Sequence, residues 1–436
     1  MKIHILGIAG TMTAPLAVEL KKQGHTVSGS DQEKIYPPIS TLLQRNHIPL
    51  NTQPVNDTVD LFIIGSSFRS FSQTKKEFAE IKKLHFPYIS ATRFITKNIG
   101  RKNTILVAGA YGKTTISSLL VWVLTKLGLN PSYMFGGFSL NRIPSLKITN
   151  SDWAVIEADE SINGLDTKAK FLYYPVRHLI VTSCDWEHKE SYPTAEANLE
   201  AFSRLIKHVP KTGLIVYRQQ SSSLPALVNQ STTPSFPYQL PSDHKFATPL
   251  LGDFNQENIE AVLTLCRLLG FNEKNVVAAI SSYKGIARRL QLLSSINSIY
   301  FYDDFSQSPL RIKSSIEAIK NHHPDCQIKV FLEPHATFLQ NTLGLNNLAG
   351  ALSQVSEIVL SRIKFSGKIP PSDRVTLKSF KHELKDKLIY LPLYTDICQH
   401  YHQTLKPHTV LVHFSSGGKE GLETFKRIIN NLKSTS

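Results

Sequence analysis

Residues 104–129 read TILVAGAYGKTTISSLLVWVLTKLGL. An aliphatic, β-branched run ends in a glycine-rich turn, and an apolar stretch of helical length follows directly. This strand, loop and helix succession is the setting that a phosphate loop requires. Backbone N–H groups at a helix N-terminus cradle phosphate oxygens, Lys113 supplies charge to the terminal phosphates, and the Thr114 hydroxyl can ligate Mg²⁺. The loop residues on this reading are Gly109, Ala110, Tyr111, Gly112, Lys113, Thr114 and Thr115. The strict Walker spacing fails, because its first glycine would fall on Val107. A glycine turn that merely caps a helix is the competing explanation, and the Lys-Thr-Thr that adjoins Gly112 favours phosphate.

Outward from this stretch the α/β alternation continues in both directions. Before it, periodicity predicts strand 2–7, helix 13–23, strand 26–29, helix 39–45 and strand 60–65, a doubly wound pattern. After it come the strands WAVIEAD and HLIVTSC and a helix near Asn255, then a third unit with strands IYFYDD, IKVFLEP and TVLVHFSS. Its helices are expected at 309–321, 344–355 and 420–432, around another parallel sheet. The polar stretch 219–248 reads as an irregular excursion. The fold expected is α/β in three domains: Rossmann-like 1–98, a P-loop-type central ATPase domain 99–296, and Rossmann-like 297–436. A chain of 436 residues exceeds what one core usually supports, in keeping with that division.

Composition removes some function classes. The four cysteines, Cys184, Cys266, Cys326 and Cys398, form no CxxC pair, so neither a zinc knuckle nor a disulfide framework is expected. The N-terminus lacks the apolar core and cleavage site of a signal peptide, and a cytoplasmic location is expected. The apolar stretch Ile116–Leu129 is too short for a hydrocarbon layer of roughly 30 Å, so membrane insertion is not expected. The formal net charge of +15 would suit a polyanion. Its lysines are dispersed, however, in pairs such as Lys21 with Lys22 and Lys82 with Lys83, which reads as solvated helix faces rather than a nucleic-acid stripe.

Two more groups of residues carry chemistry. The strand AVIEADE brings Glu157, Asp159 and Glu160 to the end of a buried strand, a costly place for carboxylates unless a cation compensates. One strand later TSCDWEHKE offers Asp185, Glu187 and His188 on what should be the same edge. Taken alone, His188 would more often be a surface residue than a ligand; after a phosphate loop and a strand-end Glu, a Mg-nucleotide site is the better reading. At the N-terminus, GIAGTM places Gly7, Gly10 and Thr11 after the first strand, and SGSD ends the second at Asp31. This degenerate Rossmann fingerprint supports some nucleotide diphosphate, with the acid near a ribose hydroxyl, and no more.

With these motifs in place the chain resembles the Mur ligase family along its whole length. AGAYGKTT is similar to that family's phosphate loop, VIEADE to its Mg-binding strand and DWEH to its Asp-His pair. GDFNQEN, ARRLQLL and YDDFSQSP are similar to its later motifs in the same order. Within the family, YPPISTLL, IIGSS, FLEP and HFSSGGKEG look most like the branch that joins UDP-N-acetylmuramate to the tripeptide L-alanyl-γ-D-glutamyl-diaminopimelate. The branch that adds L-alanine comes next. The resemblance implies an ATP-driven amide ligase in which ATP phosphorylates the muramyl carboxylate and an amine displaces phosphate. It implies Lys113, Glu157 and His188 as catalytic, with Thr114 and Glu157 holding one Mg²⁺ and His188 helping to hold another. Asn255, Asn258, Arg289 and Asp304 would meet ATP, and Gly7, Gly10, Thr11, Asp31 and Ser66 the UDP part. A monomer or weak oligomer is expected.

The chain departs from the family pattern at Phe254, Ser183 and Tyr111, and at Gln307, Ser308 and Ala336. A nucleotide-binding homologue without ligase activity therefore stands as the alternative from another class. A nucleic-acid-dependent ATPase ranks last.

Overall fold

A computed structural model describes residues 1–32, 35–50, 58–186, 191–242, 246–306, 308–335, 337–363, 374–417 and 419–435. Three sheets organise them. The first holds β1 (Lys2–Leu6), β2 (Thr26–Ser30), β3 (Leu61–Ile64) and β4 (Tyr88–Ser90) in the order β2-β1-β3-β4, every pairing parallel. The strands and helices expected from periodicity up to residue 65 are present, with helices Thr13–Lys22 and Ile39–Arg45.

The second sheet is built from β5 (Asn103–Ala108), β6 (Ser132–Met134), β7 (Leu146–Lys147), β8 (Trp153–Glu157), β9 (His178–Val181), β10 (Leu214–Arg218) and β11 (Ser235–Tyr238). Their order is β11-β10-β9-β5-β8-β6-β7, parallel except for β6 with β7. Because β5 is central, the loop that follows it is flanked by the C-terminal ends of β8 and β9. That is the crevice where open α/β sheets bind ligands. The helix Lys113–Lys126 after β5 buries Ile116, Leu119, Leu120, Val121, Val123 and Leu124. It lies within the protein, as its apolar run predicts.

One expectation is corrected here. The stretch 219–248 is not wholly irregular: it contains the helix Leu224–Val228 and strand β11, whose SFPY pairs parallel with β10 at the sheet edge. Partial exposure hides the strand from hydrophobic periodicity, and an edge strand tolerates Pro237 because one side of its ladder is open.

The third sheet comprises β12 (Gln291–Ile296), β13 (Ile299–Asp304), β14 (Gln327–Glu333), β15 (Glu357–Leu360), β16 (Leu388–Tyr390) and β17 (Thr409–Ser415), in the order β12-β13-β17-β14-β15-β16. It is parallel apart from the hairpin of β12 with β13, so an all-parallel sheet is not found. Since β12 bonds to β13, residues 291–296 fold with the third sheet rather than with the middle one. Its helices include Pro309–His322, Thr342–Ala351 and Lys419–Thr435.

The chain divides into two compact units, one of Met1–Pro249 with Phe254–Ile286 and one of Leu250–Asp253 with Ala287–Ser436. The first two sheets share a unit for a physical reason: Ile3, Ile5, Leu16 and Leu20 belong to the same buried cluster as Leu106, Ile156 and Leu179. A polar tie reinforces it, the Ile148 N–H donating to Glu19 Oε1 at 3.0 Å. The second unit has its own core around Phe301, Phe331, Tyr401, Leu411 and Phe425. Among the described residues no helix is long and apolar enough to cross a membrane, and the four cysteines are free and buried.

Candidate active site

The loop from Gly109 to Gly112 is held open by residues of β9's C-terminal end. Ser183 Oγ accepts the Ala110 N–H at 3.0 Å, and Thr182 Oγ1 donates to the Tyr111 carbonyl at 2.6 Å. Gly109 and Gly112 have φ of +127° and +77°, conformations in which a side chain is strained. A Cβ on Gly112 would lie 2.5 Å from Asn258 Oδ1. Asn258 in turn donates from Nδ2 to Asn255 Oδ1 at 3.3 Å, one turn back on the buried face of helix Asp253–Leu268. Asn258 thus lies against the loop at Gly112, with Asn255 bonded to it.

Helix Lys113–Lys126 starts immediately after Gly112, so Lys113, Thr114 and Thr115 form its first turn, where N–H groups are unpaired by the helix itself. Thr114 Oγ1 donates to Glu157 Oε1 at 2.8 Å, and the other Glu157 oxygen accepts the Gly136 N–H at 2.6 Å. The Lys113 ammonium reaches Glu160, at 2.8 Å from Oε2 and 3.1 Å from Oε1, and also donates to the Gly109 carbonyl. Next to it, Lys170 Nζ pairs with Asp159 Oδ2 at 2.8 Å. Burial would raise the Asp159 carboxyl, but Lys170 and Lys113 outweigh it and hold this group well below the usual carboxylate range.

These residues fit a divalent cation. Magnesium takes oxygen ligands at 2.0–2.1 Å in an octahedron, whose adjacent ligands are therefore about 2.9 Å apart. The Thr114 and Glu157 oxygens stand 2.8 Å apart, the spacing of two neighbouring vertices. Two protein oxygens, with phosphate and water for the rest, is the usual manner in which Mg²⁺ is held beside a nucleotide. Among the described residues there is no group of three or more His, Cys, Asp or Glu that would form an all-protein cage. His188 and Glu187 lie outside the described residues. The chain enters and leaves that segment through Trp186 and Ser191, and Trp186 Nε1 donates to the Tyr192 carbonyl at 3.0 Å.

At the first sheet, Asp31 is buried and its two oxygens accept the N–H groups of Ala9 at 2.7 Å and Gln32 at 2.8 Å. The acid therefore shapes the turn containing Gly7, Gly10 and Thr11. Ser66 opens a 3₁₀ turn after β3 beside it, since a Cβ on Gly7 would lie 2.5 Å from Ser67 Oγ. The five residues expected at the UDP part are thus gathered at the C-terminal edge of this sheet.

Arg289 and Asp304 belong to the second unit. The Arg289 guanidinium stands 5.6 Å from the Phe305 ring centroid. Asp304 is buried and accepts from Ser306 N at 2.9 Å, Ser306 Oγ at 2.8 Å and Ser315 Oγ at 2.6 Å. Gln307 and Ala336 lie outside the described residues. Ser308 accepts the Arg311 N–H at 3.5 Å as the N-cap of helix Pro309–His322, which gives this departure a structural use.

Sequence reasoning missed three features. The sequence places Glu160 among the strand-end acids and does not show its partner Lys113. Ser183 stood only as a departure, yet it braces the loop. In the second unit, Arg288 Nε pairs with Asp303 Oδ2 at 3.0 Å, and the fully buried His413 bridges Asp303 Oδ1 at 2.8 Å and Glu333 Oε2 at 3.0 Å. Burial would push the His413 imidazole down, but the two carboxylates hold it above its ordinary range. Glu333, despite its burial, is held far below the carboxylate range by His335, His413 and Tyr394.

The family model described as "Mur ligase family, catalytic domain" matches residues 2–102, ending ahead of the phosphate loop. UDP-N-acetylmuramate–L-alanyl-γ-D-glutamyl-meso-2,6-diaminoheptandioate ligase of Escherichia coli (strain K12) is 28% identical over 390 residues, 83% of this chain and 84% of that protein. The solved structure of the corresponding ligase from Neisseria meningitides is 28% identical, with a TM-score of 0.58 over 66% of this chain and 99% of that one. UDP-N-acetylmuramate-alanine ligase of Thermotoga maritima shares the fold at 20% identity, with a TM-score of 0.80 and full coverage of both chains. The family model over residues 2–102 and the 28% identity to these two ligases converge on one likeness: the chain is similar to the Mur ligase family.

Proposed function

We propose that this chain is a cytoplasmic, ATP- and Mg²⁺-dependent ligase. It forms an amide between the lactyl carboxylate of UDP-N-acetylmuramate and the amine of the tripeptide L-alanyl-γ-D-glutamyl-meso-diaminopimelate. The observation that carries the reading is the 2.8 Å Thr114–Glu157 pair at the head of the phosphate-loop helix, with the Lys113 ammonium beside it. The choice of tripeptide rests on the relatives from Escherichia coli and Neisseria meningitides, whose names specify that acceptor.

In this reading Thr114 and Glu157 would hold one Mg²⁺ and His188 would help to hold another; such ions, when bound, neutralise phosphate charge and fix the orientation of the chain of phosphates. Lys113 stabilises the negative charge that develops on the transferring phosphoryl group. Such transfer depends mainly on positioning and charge neutralisation. The first-turn N–H groups of Lys113, Thr114 and Thr115 face the phosphates, and Asn255 and Asn258 flank the loop on the nucleotide side. The turn with Gly7, Gly10, Thr11, Asp31 and Ser66 takes the UDP end of the substrate. The C-terminal domain receives the amine. The carboxylate attacks the terminal phosphorus of ATP and ADP leaves; the amine then attacks the acyl carbon, and phosphate departs with the carbon–oxygen bond's electrons. The attacking amine loses a proton as the amide forms.

The test compares kcat/KM for the tripeptide and for L-alanine at fixed UDP-N-acetylmuramate and ATP, read as phosphate release. A preference for the tripeptide is expected. A preference for L-alanine would move the chain to the L-alanine-adding branch. ATP binding without ligation of either amine would make it the inactive homologue.

A further inference from the structure

We propose that Glu160 is a positioning residue for this reaction: its carboxylate holds the Lys113 ammonium at the edge of the loop and shares it with the terminal phosphate of ATP during transfer. The inference rests on reading the loop as an ATP site. An ammonium offers three N–H donors. Three acceptors surround Nζ here, namely Glu160 Oε2 at 2.8 Å, Glu160 Oε1 at 3.1 Å and the Gly109 carbonyl. A phosphate can engage Lys113 only by taking over one of these bonds.

Glu160 is placed to do this by construction rather than by chance of rotamer. Its relative exposure is 2%, and a carboxylate so deeply buried is unfavourable without a paired cation. Its backbone is fixed on either side. The Tyr192 hydroxyl donates to the Glu160 carbonyl. Asp159 accepts Ser161 N at 2.9 Å, Ser161 Oγ at 2.8 Å and Lys170 Nζ at 2.8 Å. The Lys170 N–H closes the same turn on the Ser161 carbonyl at 2.9 Å. A rigid turn therefore delivers the carboxylate to one place.

The two strand-end glutamates divide the work. Glu157 engages the Thr114 hydroxyl and the Gly136 N–H; Glu160 engages the ammonium. An incoming phosphate meets Lys113 together with a second anion that already holds it. Glu160 therefore weakens the ground-state grip on ATP while directing the ammonium along one line. An interaction arranged in this way lowers affinity for the substrate and raises the rate of the chemical step.

The test uses the full-length protein and two substitutions. Glu160→Gln keeps the side-chain size and removes the charge; Glu160→Asp keeps the charge and withdraws it by one methylene. Mg-ATP affinity is measured by calorimetry, and kcat by phosphate release with UDP-N-acetylmuramate and the tripeptide. Thermal unfolding is followed in parallel. E160Q is expected to bind Mg-ATP about 3- to 10-fold more tightly while its kcat falls by about 10- to 100-fold, with E160D between wild type and E160Q on both measures. A merely structural role would not move the two quantities in opposite directions. Unchanged affinity and turnover in E160Q, or a loss of both that follows thermal destabilisation in the Gln and Asp variants alike, would overturn the proposal. If the wild-type protein itself binds no Mg-ATP, the ATP-site reading falls and takes this inference with it. Normal ATP binding and ligation by wild type, with E160Q indistinguishable from it, removes this inference alone.

Discussion

Replacing Gly112 by alanine should damage the nucleotide site far more than replacing Gly128, although both glycines have positive φ. Gly112 has φ +77° and a Cβ there would lie 2.5 Å from Asn258 Oδ1, whereas Gly128 has φ +81° and nothing within 4 Å. The left-handed conformation costs an L-residue roughly 1–2 kcal/mol at either site. At Gly112 the new methyl group must also displace Asn258, whose Nδ2 bonds Asn255 at 3.3 Å. That adds about 1 kcal/mol for the disturbed hydrogen bond. Gly112→Ala should therefore lose roughly 2–3 kcal/mol and Gly128→Ala roughly 1–2 kcal/mol. Function should separate them further. Shifting the loop off its phosphate-binding geometry forfeits a charge-assisted hydrogen bond of about 1.5–3 kcal/mol, equivalent to roughly 10- to 100-fold in Mg-ATP affinity. Gly128→Ala should bind Mg-ATP like wild type. Calorimetric titration and thermal unfolding of both variants provide the check. Equal affinities in the two variants would refute the claim that Asn258 and the loop are packed against each other at Gly112.

Glu157→Gln should raise the Mg²⁺ concentration needed for half-maximal turnover about 10-fold or more, because the amide keeps the shape and loses the anionic ligand; an unchanged metal titration would contradict this. Lys113→Ala should lower turnover by about 100-fold or more through loss of the cation at the transferring phosphoryl group, and wild-type turnover would remove the site assignment. In the second unit, His413 has its proton affinity raised on folding, so its contribution to stability is full below about 6.5 and is lost as pH climbs through the raised folded value. Glu333 has its affinity lowered, so its contribution is present above about 4.5 and disappears as pH falls towards the depressed folded value. Thermal unfolding against pH should therefore show this unit most stable between those limits, and His413→Gln should flatten the alkaline decline.

How much of this was legible in the sequence follows from the range of each interaction. The strand–helix alternation of residues 2–95 and the phosphate loop are local patterns, and a buried parallel strand such as TILVA announces itself by composition. Strand β11 escaped because an exposed edge strand, SFPY, has no reason to be apolar. The hairpin partner β12 escaped because its residues are half-exposed and pair antiparallel within a parallel pattern. In the site, the acids of VIEADE could be placed at a strand end, but which oxygen serves Thr114 and which serves Lys113 depends on contacts across more than forty residues of chain. Ser183 reads in the sequence only as a departure from the family pattern, and the hydroxyl that braces Ala110 does so across 73 residues. His413 in TVLVHFSS gives no local sign of the two carboxylates that its neighbouring strands β13 and β14 bring to it.

The most direct test of the proposed chemistry follows the oxygen atoms of the muramyl carboxylate. UDP-N-acetylmuramate labelled with ¹⁸O in both lactyl carboxylate oxygens is incubated with ATP, Mg²⁺, the tripeptide and the full-length protein, and the released phosphate is analysed by mass spectrometry. Attack of the carboxylate on ATP followed by displacement by the amine predicts one ¹⁸O in each phosphate and the other retained in the amide of the product. Phosphate that carries no label, formed by water attacking ATP, would contradict the account.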